Sequence, residues 1–410
     1  MKKIFLIFSF LVILLLSSNC FTQWVQTNGP GVAMVCCMAK SGVNLLAGTT
    51  GLYKTTNNGD NWTKISIVNP DPFFQSLAVK DSLIIGGAVN RIYRSINYGI
   101  TWSNIPLNET YLFGAAISGP YVYIGAGPGG FEGVYRSTNY GLNFSQIYNT
   151  GFARVYTLVA NGSYVYSASQ FGGVNRSTNY GLNWVQISPN LEIWSLLVEG
   201  SKIIAGTMGQ GIYVSNDSGQ TWLHTLPMNS NRWVYALASN ETFIFAGNDS
   251  DGVYLSVNGG YNWVQVNEGL TNRDILSLKV TNDYLFAGMF NEGYVWRRPL
   301  SDFVGLKNEK TIVPSSYHLY QNYPNPFNPS TKIKFDIRPP LTPLLGKEGT
   351  GVVLKVYDIL GREVATLVNE KLNPGTYEVE FDGSNYSSGV YYYKLTAPEF
   401  TETKKMVLVK

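Results

Sequence analysis

The sequence predicts an all-β chain: a seven-bladed β-propeller closed by its own N-terminal strand, followed by a small C-terminal β-sandwich. Three observations point there. One eight-residue pattern recurs six times, with its closing aromatics 40, 42, 40, 38 and 41 residues apart. Each copy lies in a unit of short apolar runs separated by Gly- and Asn-rich turns, the signature of a repeat whose sheets must stack to hide their faces. A seventh unit lacks its last strand, and the N-terminus carries one to spare. Composition agrees. Of 410 residues, 45% are apolar and 14% charged, with 42 Gly and 28 Tyr, which suits short strands, tight turns and aromatic-lined sheets.

Residues 1–22 read as a signal peptide. Lys2 and Lys3 precede an apolar run from Ile4 to Leu16, and small or polar residues follow up to Thr22. Thirteen apolar residues are too few for a membrane span. Cys20 admits a lipoprotein reading, although Asn19 is a poor neighbour for a lipidated cysteine. No membrane span is expected in the mature protein. The net charge of +3 falls to +1 without Lys2 and Lys3, and no basic stripe suggests nucleic acid. Cys36 and Cys37 are adjacent, so they point to opposite faces of a strand and read as small buried hydrophobes.

The propeller is expected over residues 23–298. Its repeated turns centre on Asn57, Gly59 and Trp62; Asn97, Gly99 and Trp102; Asn139, Gly141 and Phe144; Asn179, Gly181 and Trp184; Asp217, Gly219 and Trp222; and Asn258, Gly260 and Trp263. The Asn or Asp can bond nearby backbone amides, the Gly can take positive φ, and the aromatic opens the next strand with a ring to bury between sheets. The fifth unit shows all four strands: Trp194 to Val198, Lys202 to Gly206, Gly211 to Ser215 and Thr221 to Thr225. The seventh supplies three over 275–296. Trp24-Val-Gln-Thr resembles the fourth strands at Trp184-Val-Gln and Trp263-Val-Gln, and Trp24 precedes Trp62 by 38 residues. The N-terminal strand should therefore complete the last blade and remove an open edge. A misread unit would make the count six or eight.

These turns resemble the Asp-box (BNR) repeat of sialidases, xyloglucanases, sortilin-type receptors and photosystem assembly factors, although only Asp217 keeps the Asp. The resemblance implies a propeller in which the boxes are structural and lie away from any active site.

Residues 299–316 read as a polar linker and 317–410 as the sandwich, with strands expected at 331–337, 352–358, 363–368, 375–381, 390–396 and 404–409. Tyr323-Pro-Asn-Pro-Phe-Asn-Pro, Val356-Tyr-Asp-Ile-Leu-Gly-Arg, Ser388-Gly-Val-Tyr-Tyr-Tyr-Lys-Leu and the terminal Lys404-Lys-Met-Val-Leu-Val-Lys resemble the type IX secretion C-terminal sorting domain of Bacteroidetes and their relatives. That implies passage through the periplasm, recognition by an outer-membrane translocon, a secreted or cell-surface location and, commonly, removal of the tail. The Pro-rich stretch from Arg338 to Gly351 is longer than the family pattern.

In a four-stranded meander the repeated turns share one face with the first-to-second turns. The opposite face carries the longer loops, including 126–132, 226–232 and 248–251, and such loops hold binding residues. The start of each innermost strand on that face holds Met34, Phe73, Tyr111, Arg154, Glu192, Trp233 and Asp274. Neighbouring positions stay apolar from unit to unit while this one varies, so Tyr111, Arg154, Glu192, Trp233 and Asp274 are candidate ligand-binding residues at the channel mouth; a merely solvated rim is the alternative. Catalytic signals are poor. Glu192 and Asp274 are the only carboxylate pair to offer for glycoside hydrolysis. Arg154, Arg232 and Arg273 lack an Arg-Ile-Pro motif, and His224 and His318 lie in different domains. Asn248-Asp-Ser-Asp-Gly reads as a hairpin turn rather than a calcium loop. No cofactor and no metal site are expected. The reading is a non-catalytic binding module for a glycan or protein, with an Asp-box glycoside hydrolase or an assembly factor as alternatives.

Overall fold

The computed structural model describes residues 23–32, 34–68, 71–107, 111–127, 132–151, 153–226, 232–306, 317–338, 350–372, 374–398 and 400–410. The expected signal peptide, most of the loops at 126–132 and 226–232, the linker beyond 306 and the Pro-rich stretch over 339–349 lie outside these residues.

Among the described residues, seven four-stranded antiparallel sheets precede the tail. Their first strands are Cys37–Ser41, Phe74–Lys80, Leu112–Ser118, Val155–Asn161, Ile193–Glu199, Val234–Ser239 and Ile275–Val280. We number the sheets 1 to 7 in that order. Each first strand touches the first strand of the next sheet, and that of sheet 7 touches that of sheet 1, so the sheets ring a central channel as a β-propeller.

The strands differ because their surroundings differ. Second strands such as Leu83–Ala88 and Ile244–Asn248 are buried at every position, sandwiched by sheets on both faces, and so read as unbroken apolar runs. Fourth strands such as Val185–Gln186 and Val264–Gln265 are short and exposed, which blunts the outer edge against pairing with other chains.

The core is divided into seven clusters, one at each junction between successive sheets, including the junction of sheet 7 with sheet 1. Each repeat aromatic packs into the cluster between its own sheet and the one before, from Trp62 at the junction of sheets 7 and 1 to Trp263 at that of sheets 5 and 6. Trp24 takes the corresponding place between sheets 6 and 7 and is 2% exposed. Val25–Pro30 pairs with Tyr294–Pro299 as the outer strand of sheet 7. Hydroxyls add a second tie. Ser76 donates to the carbonyl of Leu112 at 2.9 Å and Ser195 to that of Val234 at 2.8 Å. Ser277 repeats the bond to Val35 at 2.8 Å and ties sheet 7 to sheet 1.

The repeated turns share one geometry. The Asn or Asp oxygen accepts the N–H four residues on at 2.8–3.3 Å, as its position suggests. The first residue of the pattern does as much. Thr55, Ser95, Ser137, Ser177, Ser215 and Ser256 are buried; each accepts the N–H of the Gly at 2.8–2.9 Å and donates to the Asn or Asp at 2.7–3.0 Å. Two successive residues take positive φ, as with Tyr98 at 57° and Gly99 at 83°. Tyr98 N–H and Tyr180 N–H donate to Ser82 and Ser163 in the first-to-second turns, so the two kinds of turn share a face. Arginines on the third strands pin these turns from the preceding sheet: Arg136 reaches the carbonyl of Tyr180 and Arg176 that of Ser218, both at 2.7 Å.

One boundary differs from the sequence reading. Pro299 still pairs with Tyr284, and Leu300–Leu306 forms a 3-10 helix whose Leu300 and Phe303 join the core between sheets 6 and 7. Residues 299–306, expected as the first part of a polar linker, are thus strand end and helix. Two turns of 3-10 helix are too short to declare a period in sequence.

The tail is a sandwich of a three-stranded sheet (His318–Leu319, Ser330–Ile337, Gly375–Asp382) and a four-stranded one (Glu363–Leu372, Thr350–Tyr357, Gly389–Ala397, Phe400–Leu408) around one core. The short strand at His318 was not expected.

Candidate functional site

The first strands line the channel, and those of sheets 2 to 7 carry the same irregularity. In sheet 3, Leu112 pairs with Ala126 and Gly114 with Gly125, which leaves Phe113 outside the ladder as a β-bulge. The same shift isolates Gln75, Tyr156, Trp194, Tyr235 and Leu276. A bulge breaks the strict alternation of faces and re-aims the extra side chain. These bulged residues line a cavity of about 430 Å³ in the channel.

Four successive bulges are aromatic, and their rings form a continuous wall. Phe113 meets Tyr156 edge-on at 5.6 Å. Tyr156 stacks on Trp194 at 4.2 Å, Trp194 on Trp233 at 6.2 Å, and Tyr235 packs edge-on against Trp194 at 5.1 Å and stacks with Phe290 at 6.4 Å. The opposite wall includes Met34, Cys36, Met38 and Leu276. Burial pushes the Cys36 thiol up to about 12 and Cys37 well above its ordinary value, so both are neutral; both are free thiols.

The expected rim residues lie at the start of the first strands, and their carbonyls show the shared position. Those of Tyr111, Arg154, Glu192, Trp233 and Asp274 each accept an N–H from the second-to-third turn of their own sheet. The repeated turns occupy the other face. Among the five, only Trp233 lines the cavity. Tyr111 is 44% exposed and stacks on Phe113 at 6.0 Å. Arg154 and Glu192 both act on Tyr156: burial raises that hydroxyl's pKa, Arg154 opposes the rise and Glu192 adds to it. Asp274 joins Asp249 beside Tyr235, whose hydroxyl is pushed up to about 12 by burial first and then by the two carboxylates. Asp274 also accepts from Ser250 N–H at 2.9 Å and from the Asn291 amide at 3.1 Å. Asp249 accepts from Trp233 N–H at 2.6 Å; burial raises its pKa against that bond and Arg232. Glu192 and Asp274 thus serve two separate groups at the mouth. Asn248–Asp251 forms a hairpin turn in which Asp251 pairs with Arg232 at 3.5 Å. Among the described residues no group of His, Cys, Asp and Glu is arranged to hold a metal.

The cavity-lining bulges fall two residues after the expected rim positions. The bulged position varies just as much between units (Gln75, Phe113, Tyr156, Trp194, Tyr235, Leu276), and that variation was the available signal. Strict alternation hid it, since the bulge cannot be read from a single strand.

Several solved structures share the fold. YCF48 from Cyanidioschyzon merolae is 13% identical with a TM-score of 0.52, covering 68% of this chain and 99% of its own. A structure of YCF48 bound to D1 peptide is 15% identical with a TM-score of 0.53, covering 67% and 96%. The GH74 xyloglucanase from Xanthomonas campestris is 12% identical with a TM-score of 0.57, covering 93% and 75%. At these identities the likeness concerns fold alone. No curated protein matches the chain. The secretion system C-terminal sorting domain family matches residues 321–410. The sandwich at the end of this chain is therefore a type IX secretion sorting domain, and the protein it carries is a β-propeller bound for the cell surface or the extracellular space.

Proposed function

We propose that the propeller is a non-catalytic binding module of the Asp-box kind, which meets a glycan or protein ligand outside the cell at the channel mouth. The observation that carries this reading is the wall of stacked aromatics facing a cavity of about 430 Å³, within the range of ligand pockets and lined mainly by apolar groups with a few polar tips. Tyr111, Arg154, Glu192, Trp233 and Asp274 would frame its opening. A leader at 1–22 and the sorting domain from 317 would carry the propeller through the periplasm to the translocon, its partner in export.

Two other readings draw on single likenesses. The xyloglucanase fold suggests a glycoside hydrolase, and a propeller solved with a bound peptide suggests an assembly factor. The test is to incubate the secreted protein with a glycan array and with soluble polysaccharides. Retention without release of reducing ends, weakened in Trp233→Ala, supports the binding module. Release of reducing ends that disappears in Glu192→Gln or Asp274→Asn refutes it.

A further inference from the structure

We propose that the channel mouth seats an apolar side chain, aromatic for preference, presented by an extended peptide. The proposal rests on the binding-module reading and names its ligand.

A glycan carries hydroxyls that must find partners when buried, since an unpaired polar group costs free energy. The cavity has little to offer them. Three of its lining hydroxyls, on Ser76, Ser195 and Ser277, already donate to carbonyls of the neighbouring sheets at 2.8–2.9 Å. The Gln75 side-chain oxygen accepts from Leu112 N–H at 3.2 Å. The rest of the lining is dominated by the aromatic wall facing thioether, neutral thiol and leucine, an adaptable surface that suits a ring or a branched aliphatic group.

The mouth has the opposite character. Arg154, Glu192 and Asp274 stand at the start of the first strands of sheets 4, 5 and 7, and Asp249 and Arg232 lie beside Trp233 on sheet 6. Donors and acceptors therefore both stand on one side of the opening of a largely apolar cavity. A peptide has this combination: a backbone that needs both kinds of partner and one side chain that needs neither. A free apolar molecule would use the cavity alone and leave the rim idle.

The experiment uses the full secreted protein and calorimetric titration with four probes: acetyl-Gly-Gly-Trp-Gly-Gly-amide, the matching pentaglycine, free indole and a xyloglucan oligosaccharide. The tryptophan peptide should bind at least tenfold more tightly than pentaglycine and more tightly than indole. Trp194→Ala should weaken it at least tenfold. Met34→Trp, at the half-buried rim of the opposite wall, fills the cavity without touching the aromatic stack and should do the same. Thermal unfolding of both variants checks that they fold. The proposal is overturned by no binding of the tryptophan peptide at millimolar concentration, by equal binding of pentaglycine or indole, or by binding that survives Met34→Trp in a folded protein. Intact binding of the oligosaccharide in place of the peptide overturns this proposal alone; cleavage of the oligosaccharide overturns the binding-module reading as well.

Discussion

The indole N–H of Trp24 donates to the carbonyl of Val266, 242 residues further along the chain, at 2.6 Å. Trp62, Trp222 and Trp263 make the same kind of link, to Thr27, Ile187 and Thr225 in the outer region of the preceding sheet, at 3.1, 2.7 and 3.2 Å. The junction of sheets 6 and 7, sealed by the N-terminal strand, is thus held by the contact that also serves three other junctions.

Trp24→Ala should destabilise the propeller by about 3–5 kcal/mol, because a fully buried ring leaves a cavity. Trp24→Phe should cost only about 1 kcal/mol, since the Val266 carbonyl keeps a bond from Arg298 at 3.2 Å. Urea unfolding reads both. A loss for Trp24→Ala no larger than for the exposed Val25→Ala would show that the junction does not depend on this residue.

Asp217 is the single acid at the third position of the six repeated turns. Burial pushes its carboxyl up, but bonds from the Thr221 hydroxyl and N–H and from Ser215 outweigh this and hold it below the ordinary value. A depressed folded pKa gives stability that is present above the unfolded value, near 3.8, and is lost as pH falls through the folded one. Wild type should therefore exceed Asp217→Asn in melting temperature at pH 7, and the gap should narrow as pH falls below 3.8 and through the folded value. A gap that stays constant across that window would contradict the assignment.

Arg298 is 4% exposed, pairs with Glu268 at 2.6 Å, and lies 3.4 Å from Asp302, whose side chain is 6% exposed. Arg298→Met strands a buried carboxylate and should cost about 3–5 kcal/mol. Arg298→Met with Asp302→Leu should recover most of that loss, because no buried charge remains. Denaturant midpoints of the single and double variants decide it; a double variant no better than the single would mean that the pair is not the cause.

Removal of residues 317–410 should stop export. The truncated propeller should accumulate in the periplasm, while its separate core clusters keep it folded and soluble. Immunoblots of periplasm and medium read the outcome, and truncated protein in the medium at wild-type level would refute the role of the tail.

Much of the architecture was open to reading because it is local and repeated. The Ser/Thr-x-Asn/Asp-x-Gly pattern closes its turn with bonds reaching no more than four residues, so six copies announce six turns. Unbroken apolar runs such as Leu83 to Ala88 announce strands covered on both faces. The spare strand at Trp24 and the gap in sheet 7 are complementary in number and type, which implies closure. The candidate site was legible only in part. Trp233, the one rim residue of the five that reaches the cavity, and the placement of Arg154, Glu192 and Asp274 at the mouth follow from topology.

The aromatic wall and the helical cap on the last junction do not follow from it. Phe113, Tyr156, Trp194 and Tyr235 face the channel only because each is bulged out of its ladder, and a bulge exists only when two strands pair with unequal counts. Leu300 and Phe303 are buried only because sheets 6 and 7 leave a surface for them. By itself the sequence determined the repeating sheets, the closing strand and the export tail, since each rests on periodicity or on short local patterns. The tertiary structure decided which side chains meet across the channel, because that depends on strand pairing and sheet packing between residues far apart.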